Sequence, residues 1–139
     1  MTEKIIQGEV TNRIFSLNKI IIYGAGVMGR ALNMCLESKP YNKKVHCFIV
    51  SNTANNPEMI DGTPVIGIED ADYYKNEMII VALNETNMPS AVEALHNHGF
   101  NNLMMLNAAG DEWAYIKENY FLNNQDQCYI PFKILPERI

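Results

Sequence analysis

The sequence contains no apolar run of about twenty residues, the length that a membrane-spanning helix requires. Its first residues include acids and lack both a continuous apolar segment and a small-residue cleavage site, so they do not read as a secretory signal. Cysteine is scarce, because Cys35, Cys47 and Cys128 are an odd number without CxxC spacing. We expect reduced thiols in a cytoplasmic protein, with no disulfide framework and no metal site.

Positive charge is also scarce, with 11 Lys and Arg against 16 Asp and Glu and a formal net charge of −5. Apart from the pair Lys43 and Lys44, the basic residues are scattered along the chain. Nucleic-acid binding rewards a basic stripe, so we expect no nucleic-acid partner. The 139 residues, 47% of them apolar, are enough for one domain with a real core.

Buried-strand patterns alternate with helical patterns from residue 19 onwards. The strand candidates are residues 19–23, 45–50, 78–83 and 103–106, with a shorter extended piece after Pro64. The helix candidates are residues 27–38, a segment from near Pro89 to Gly99, and residues 111–122. Strands that alternate with helices predict an α/β protein, a Rossmann-like three-layer fold with a parallel sheet of about five strands.

The same patterns divide the chain into three parts. Residues 1–18 are assigned to an N-terminal helical extension, in which residues 3–17 form a short amphipathic helix. Residues 19–123 are assigned to a Rossmann-like nucleotide-binding domain, and residues 124–139 to an extended C-terminal tail. Within the domain, the Asn-rich segment 51–64 is interpreted as a loop.

A glycine motif, G-x-G-x-x-G, follows the first strand as Gly24, Gly26 and Gly29. Gly24 would permit the tight turn, Gly26 would let a phosphate approach the backbone, and Gly29 would let the helix lie close to the sheet. The helix N-terminus then offers free N–H groups to an anion. An alternative is that the three glycines serve only strand–helix packing. The residues predicted to cradle the phosphate are Gly24, Ala25, Gly26, Val27, Met28 and Gly29.

The end of the second strand bears on the type of nucleotide. An NAD site normally has a carboxylate there for the ribose, and an NADP site an arginine or lysine nearby. This chain has Ser51 and Asn52, and no basic residue follows until Lys75. Ser51, Asn52 and, after the next long strand, Asn84 are predicted to contact a sugar or base, with turn formation or helix capping as the alternative role.

The stretches IIIYGAGVMGRAL, VHCFIVSN, DGTPVIGIEDA and MIIVALNET resemble the small Rossmann-like N-terminal domains of bacterial surface-polysaccharide enzymes, above all PglD-like sugar O-acyltransferases. The resemblance covers roughly residues 19–108 and extends to general NAD- and CoA-binding-like domains. It implies a UDP-sugar ligand. The chain departs from the pattern, because the histidine of the first turn and the acids after the second strand are missing, as are the acyltransferase hexapeptide repeats.

The leading hypothesis is therefore a nucleotide- or nucleotide-sugar-binding domain linked to surface-polysaccharide synthesis, with a UDP-type nucleotide sugar as first choice and NAD(H) as second. The sequence shows no complete set of catalytic residues. The expected partners of the domain are therefore a second copy of the chain, as a homo-oligomer, or a transferase domain that is covalently linked or associated. One alternative is an NAD(P)-binding oxidoreductase fragment or redox-sensing module, which a carboxylate such as Glu58 or Asp61 reaching the ribose would favour. Another alternative is a non-catalytic interaction module.

Overall fold

The computed structural model describes residues 4–125, which contain six strands, four α-helices and, between β4 and β5, two short 3-10 helices. The strands are β1 (Ile20–Tyr23), β2 (Val45–Val50), β3 (Met59–Ile60), β4 (Thr63–Gly67), β5 (Ile79–Leu83) and β6 (Leu103–Asn107). The helices are α1 (Glu9–Ser16), α2 (Val27–Glu37), α3 (Met88–Asn97) and α4 (Asp111–Asn123). The expected α/β class is confirmed. Cys128 and the predicted tail beyond residue 125 lie outside the described residues.

The sheet has the strand order β3-β4-β2-β1-β5-β6. Five of the strands, β4, β2, β1, β5 and β6, run parallel to one another, as a Rossmann-like fold requires. The chain adds β2 and β4 on one side of β1 and then β5 and β6 on its other side, so the strand order reverses between β1 and β5. The remaining strand, β3, pairs antiparallel with β4 inside the segment that was interpreted as a loop. That interpretation was wrong at β3, because Asp61 and Gly62 adopt positive φ angles of 49° and 81° and close a tight hairpin.

Apolar side chains on both faces of the sheet make the three layers. In β1, Ile20 and Ile22 face the larger core under α1, α2 and α4, whereas Ile21 and Tyr23 face the core under α3. The three isoleucines are at most 1% exposed, and burial of each stabilises the fold by roughly 1.5–3 kcal/mol. A β-branched run buried on both faces is what a central parallel strand needs, so β1 holds the glycine turn in a fixed position.

The N-terminal helix is shorter than the predicted span of residues 3–17, because α1 begins only after Gly8. The preceding residues 4–8 form no helix or strand, and their backbone hydrogen-bonds side chains of α4. The Asn119 amide bonds both the N–H and the carbonyl of Ile6, and the Asn123 amide does the same for Lys4. These tertiary bonds satisfy the backbone groups that a longer helix would have satisfied internally.

Candidate functional site

A crevice opens at the carboxyl ends of β1, β2 and β5, where the strand order reverses. Ligands of open parallel sheets bind at this position. It encloses a cavity of about 460 Å³, within the usual range for small-molecule sites. The cavity is lined by Tyr23, Gly24, Ala25, Val50, Ser51, Asn56, Leu83, Asn87, Ser90, Ala91 and Ala94.

Two of the three motif glycines are required by the fold itself. Gly24 has a φ of +114°, and a Cβ there would lie 2.9 Å from the carbonyl oxygen of Ala82. A Cβ on Gly29 would collide with the backbone carbonyl of Gly24, because the first turn of α2 rests directly on the glycine turn. Packing and backbone conformation therefore account for glycine at both positions.

Gly26 differs from the other two. It is exposed at the N-cap of α2 with an extended backbone, φ −84° and ψ −158°, which any residue adopts. A Cβ on Gly26 would meet nothing within 4 Å. Neither packing nor conformation calls for glycine there, and the missing side chain leaves the start of α2 open to an approaching group.

Within residues 4–125, the N-terminus of α2 is left without a capping side chain. It has no side-chain cap and no acid in its first turn, and the N–H groups of Val27 and Met28 donate to no described residue. The Val27 side chain is 89% exposed, whereas Met28 is half-buried and packs on the larger core. An unsatisfied helix N-terminus carries about half a positive charge and binds anions.

Two of the four described α-helices have an acidic residue in the first turn, and two have none. Glu9 opens α1, and Asp111 and Glu112 open α4. Glu112 in addition accepts a hydrogen bond from the Val10 N–H of α1 at 2.7 Å. The two helices that begin at the crevice, α2 and α3, have no acid in the first turn. Of these two, α2 keeps free N–H groups at its start, whereas at α3 the N–H groups of Asn87 and Met88 are bonded to Asn84 and Pro89 has none.

Arg30 adds a full positive charge beside the glycine turn. Its Nε donates to the carbonyl of Ala25 at 3.1 Å, which folds the side chain back over the first turn of α2. Arg30 forms no ion pair within residues 4–125. The guanidinium therefore strengthens the positive potential that an anion meets at the start of α2.

At the end of β2 the structure separates the two predicted contact residues. Ser51 lines the cavity and hydrogen-bonds Tyr23; burial raises the pKa of that phenol above its ordinary value, and the bond to Ser51 opposes the rise. Asn52 does not line the cavity, because its Oδ1 accepts the Ala54 N–H at 2.8 Å and its carbonyl accepts the Asn56 amide. Asn52 is thus engaged in the turn that it was also predicted to form.

Asn84 is likewise engaged locally. Its Oδ1 accepts the N–H of Asn87 at 2.9 Å, which shapes the turn before α3, and it is not among the lining residues. The lining on that side comes from α3, through side chains that sequence reasoning missed: Asn87, Ser90, Ala91 and Ala94. Their spacing of three and four residues puts them on one face of the helix and was a readable signal.

The described residues offer a binding crevice without a metal centre. None of the lining side chains is charged, and no cluster of three or more His, Cys, Asp or Glu residues between positions 4 and 125 could hold a metal ion. Over the same range, no helix is both long and apolar enough to cross a bilayer. Of the residues predicted to cradle a phosphate, Gly24 and Ala25 line the cavity, whereas Gly26, Val27, Met28 and Gly29 do not. The free N–H groups at the start of α2 therefore lie outside the cavity lining.

Comparisons with known proteins give likenesses among solved structures alone. No family model matches the chain, and no curated protein matches it. Among solved structures, the chain is similar to one described as the crystal structure of RSP in complex with β-NAD⁺ and operator DNA. The TM-score is 0.46 and the sequence identity 15%, and the match covers 90% of this chain and 68% of that chain. A likeness of this extent does not bear on which ligand the crevice of this chain binds.

Proposed function

We propose that the crevice binds a nucleotide or nucleotide sugar, with its phosphate groups at the N-terminus of α2. The observation that carries the proposal is Gly26, which is glycine although neither its backbone nor its packing needs it. A residue without a side chain at an uncapped helix N-terminus lets phosphate oxygens reach the N–H groups of Val27 and Met28. Arg30, one turn into the helix, adds charge to the same place.

A UDP-type nucleotide sugar is our first choice of ligand, from the resemblance to PglD-like domains, and NAD(H) is the second choice. A ribose-binding carboxylate is the usual feature of an NAD site, and the lining residue at the end of β2 is the hydroxyl-bearing Ser51. Glu58 and Asp61, which could have supplied a carboxylate from the next segment, are exposed and do not line the cavity. The neutral surroundings of Ser51 match a ligand that is not held through a carboxylate.

The biological setting that we infer is the synthesis of bacterial surface polysaccharide in the cytoplasm, from the resemblance to PglD-like N-terminal domains. The cavity lining contains no charged acid–base residue and no metal cluster, so we assign binding and presentation of the substrate to this domain. The chemistry then falls to a transferase domain that is covalently linked or associated, or to a homo-oligomer.

A ligand panel tests the proposal. Thermal unfolding of the purified protein is followed with UDP, UDP-N-acetylhexosamines, CDP and CMP compounds, NAD(H), NADP(H), coenzyme A and duplex DNA, and positive ligands are titrated by calorimetry. A ligand that binds only the folded state stabilises it by about 2.7 kcal/mol at a hundred times its dissociation constant.

The outcomes separate the candidate functions. Stabilisation by uridine nucleotides supports the proposal, and stabilisation by NAD(H) alone moves the oxidoreductase or redox-sensing alternative to first place. A response to DNA would overturn the expectation of no nucleic-acid partner. No response to any ligand would favour the interaction module and leave the open position of Gly26 without a role.

A further inference from the structure

The strand β6 forms one edge of the sheet, and it carries none of the features that usually block an edge. It pairs with β5 on one side, in unbroken register over Leu103–Asn107. From Asn101 to Gly110 the chain has no charged residue and no proline. Edge strands of natural proteins are normally blocked by lysine, proline, a bulge or extreme shortness, because their free backbone groups pair readily with another strand.

The opposite edge of the same sheet is blocked. Its strand, β3, has only two residues and directly follows Pro57 and Glu58. Very short strands, prolines and charged side chains all prevent pairing with a further strand. The chain therefore protects one edge of its sheet and leaves the other edge open.

The hydrogen bonds at the two ends of the β5–β6 ladder show which backbone groups of β6 point away from the sheet. The Ile79 N–H donates to the carbonyl of Asn102 at 2.9 Å. At the other end, the Ala108 N–H donates to the carbonyl of Leu83 at 3.3 Å. Along a parallel ladder, the residues of a strand alternate between bonding to that neighbour and pointing away from it. The outward residues are therefore Leu103, Met105 and Asn107, and their N–H groups donate to no residue between positions 4 and 125.

The side chain at the centre of this edge is apolar and exposed. Met105 is 53% exposed, although Met104 and Leu106 beside it are buried. It lies on the α3 face of the sheet together with Leu103, which packs on the core under α3. An exposed apolar side chain on an open strand edge is the arrangement that pairing with a second strand covers.

The outward residues of β6 are complementary to themselves. When two copies meet about a twofold axis that passes through Met105 perpendicular to the sheet, their β6 strands run antiparallel. The N–H and the carbonyl of Met105 then exchange hydrogen bonds with the partner's Met105, and Leu103 lies opposite the partner's Asn107. We propose that β6 is the interface through which two copies of this chain form a dimer with one continuous sheet. The proposal concerns assembly and does not depend on which ligand the crevice binds.

Charge is compatible with a second copy as the occupant of this edge. Each chain has a formal net charge of −5, so two copies repel each other on average. The uncharged segment from Asn101 to Gly110 lets them meet without like charges lying directly opposite each other.

The area that a stable dimer needs comes from helices as well as strands. A specific interface buries roughly 1,600 Å² in total, more than one short pair of strands supplies. Helix α3 packs on one face of β6 and α4 on the other. Pairing of the strands brings both helices beside those of the second copy, so helix contacts on the two faces of the joined sheet complete the interface.

Sedimentation velocity of the full chain tests the proposal from low to high micromolar concentration. The expected result is a dimer that dissociates to monomers on dilution. A monomer at every concentration would refute a second copy as the occupant of this edge and would leave the edge to a strand of another protein.

Two substitutions at matched methionines locate the interface. Met105→Lys places two ammonium groups beside each other at the twofold axis and should weaken the dimer at least roughly tenfold. Met59→Lys adds the same charge at the opposite edge of the sheet, at a methionine that is 55% exposed, and should leave the dimer unchanged. Thermal unfolding checks that both variants are folded. A dimer that resists Met105→Lys, or one that Met59→Lys dissociates, would overturn the assignment to β6.

Hydrogen exchange of the unmodified chain gives a test that needs no substitution. The Met105 N–H is hydrogen-bonded in the dimer, so a peptide covering residues 101–110 should exchange more slowly at concentrations where the dimer forms than after dilution. A peptide covering residues 57–62, at the β3 edge, should exchange at the same rate in both samples. A dimer that leaves exchange in residues 101–110 unchanged would refute pairing through β6.

Discussion

The side-chain amide of Asn119 donates a hydrogen bond to the phenolic oxygen of Tyr41 over 3.1 Å, which ties α4 to the loop after α2. Both residues are buried, and the hydroxyl of Thr11 lies 3.0 Å from the same phenolic oxygen. Burial also raises the pKa of the Tyr41 phenol above its ordinary value, so the phenol stays a neutral member of this network. Because Asn119 also binds the backbone of Ile6, one amide joins three segments that are distant in sequence.

Removal of this amide should cost more than removal of its neighbour one turn later. Asn119→Ala leaves the backbone groups of Ile6 and the Tyr41 hydroxyl short of partners, and we expect a loss of about 1–3 kcal/mol in the free energy of unfolding. Asn123→Ala removes similar bonds to Lys4 at an exposed position and should cost less than about 1 kcal/mol. Urea unfolding measures both, and equal losses would refute a special role for the buried network.

The two helix-associated motif glycines should respond in opposite ways to the same substitution. Gly29→Ser forces a Cβ into the Gly24 carbonyl and should destabilise the fold by about 1–3 kcal/mol, as overpacking does. The Gly26→Ser side chain enters open space and supplies an N-cap hydroxyl. The free energy of unfolding should therefore stay the same or rise by roughly a few tenths of a kcal/mol. Denaturant midpoints at constant m-value report the difference, and a large loss at Gly26 would contradict the open site.

Stability and phosphate binding should separate at Gly26. Gly26→Asp supplies a favourable N-cap carboxylate for α2 and should raise the unfolding free energy by up to about 1 kcal/mol, while its charge repels a diphosphate. Titration with UDP should therefore show at least roughly a tenfold loss of affinity, since that loss corresponds to about 1.4 kcal/mol.

Two further variants control the Gly26 experiment. Gly26→Asn keeps the size of the aspartate without its charge and should lose less affinity. Gly110→Asn changes the N-cap glycine of α4, whose φ of −88° is close to that of Gly26, and should leave UDP affinity unchanged. Unchanged affinity in Gly26→Asp would place the phosphate elsewhere.

The thiol of Cys47 should resist alkylation in the folded protein. Burial raises its pKa from 9.0 to about 11, and the nearby Lys19 only partly opposes the rise. At pH 8 about one thiol in a thousand is then ionised, against about one in ten for an ordinary thiol, and the thiolate is the reactive form.

Mass spectrometry after iodoacetamide treatment locates the label on the Cys47 peptide. Cys47 should be labelled at the rate of an ordinary thiol only when denaturant unfolds the protein. Because the folded state holds this proton more tightly than the unfolded state, the same group removes stability as pH rises from about 9 to about 11. A Cys47→Ala variant should show a shallower loss over that window, and rapid labelling of the native protein at pH 8 would contradict the burial.

The sequence by itself determined β1, α2 and the glycine turn that joins them. The apolar run of β1, the glycine motif and the helical spacing of α2 are local patterns, and local patterns depend on few neighbours. They predicted the Rossmann-like alternation, which the structure confirms, and a binding crevice at the carboxyl ends of the strands, which stays a prediction although a cavity opens there. The residues Asp61 and Gly62 also carried the signal for the β3–β4 hairpin, although it was read as a loop.

Only the tertiary structure decided which polar side chains face the cavity. Asn52, Asn84 and Asn87 all follow strands or precede helices, so their positions in sequence do not distinguish them. In the folded chain the side chains of Asn52 and Asn84 accept backbone N–H groups of their own turns, whereas the side chain of Asn87 lines the cavity and hydrogen-bonds no described residue.

The non-helical conformation of residues 4–8, before α1, was decided in the same way. Residues 4–8 could have continued the helix, but amides of α4, more than a hundred residues later, bind their backbone groups. A side-chain amide can bind its own turn, a distant backbone or a ligand, and local sequence does not fix which partner is within reach. The packing of the helices on the sheet makes that choice.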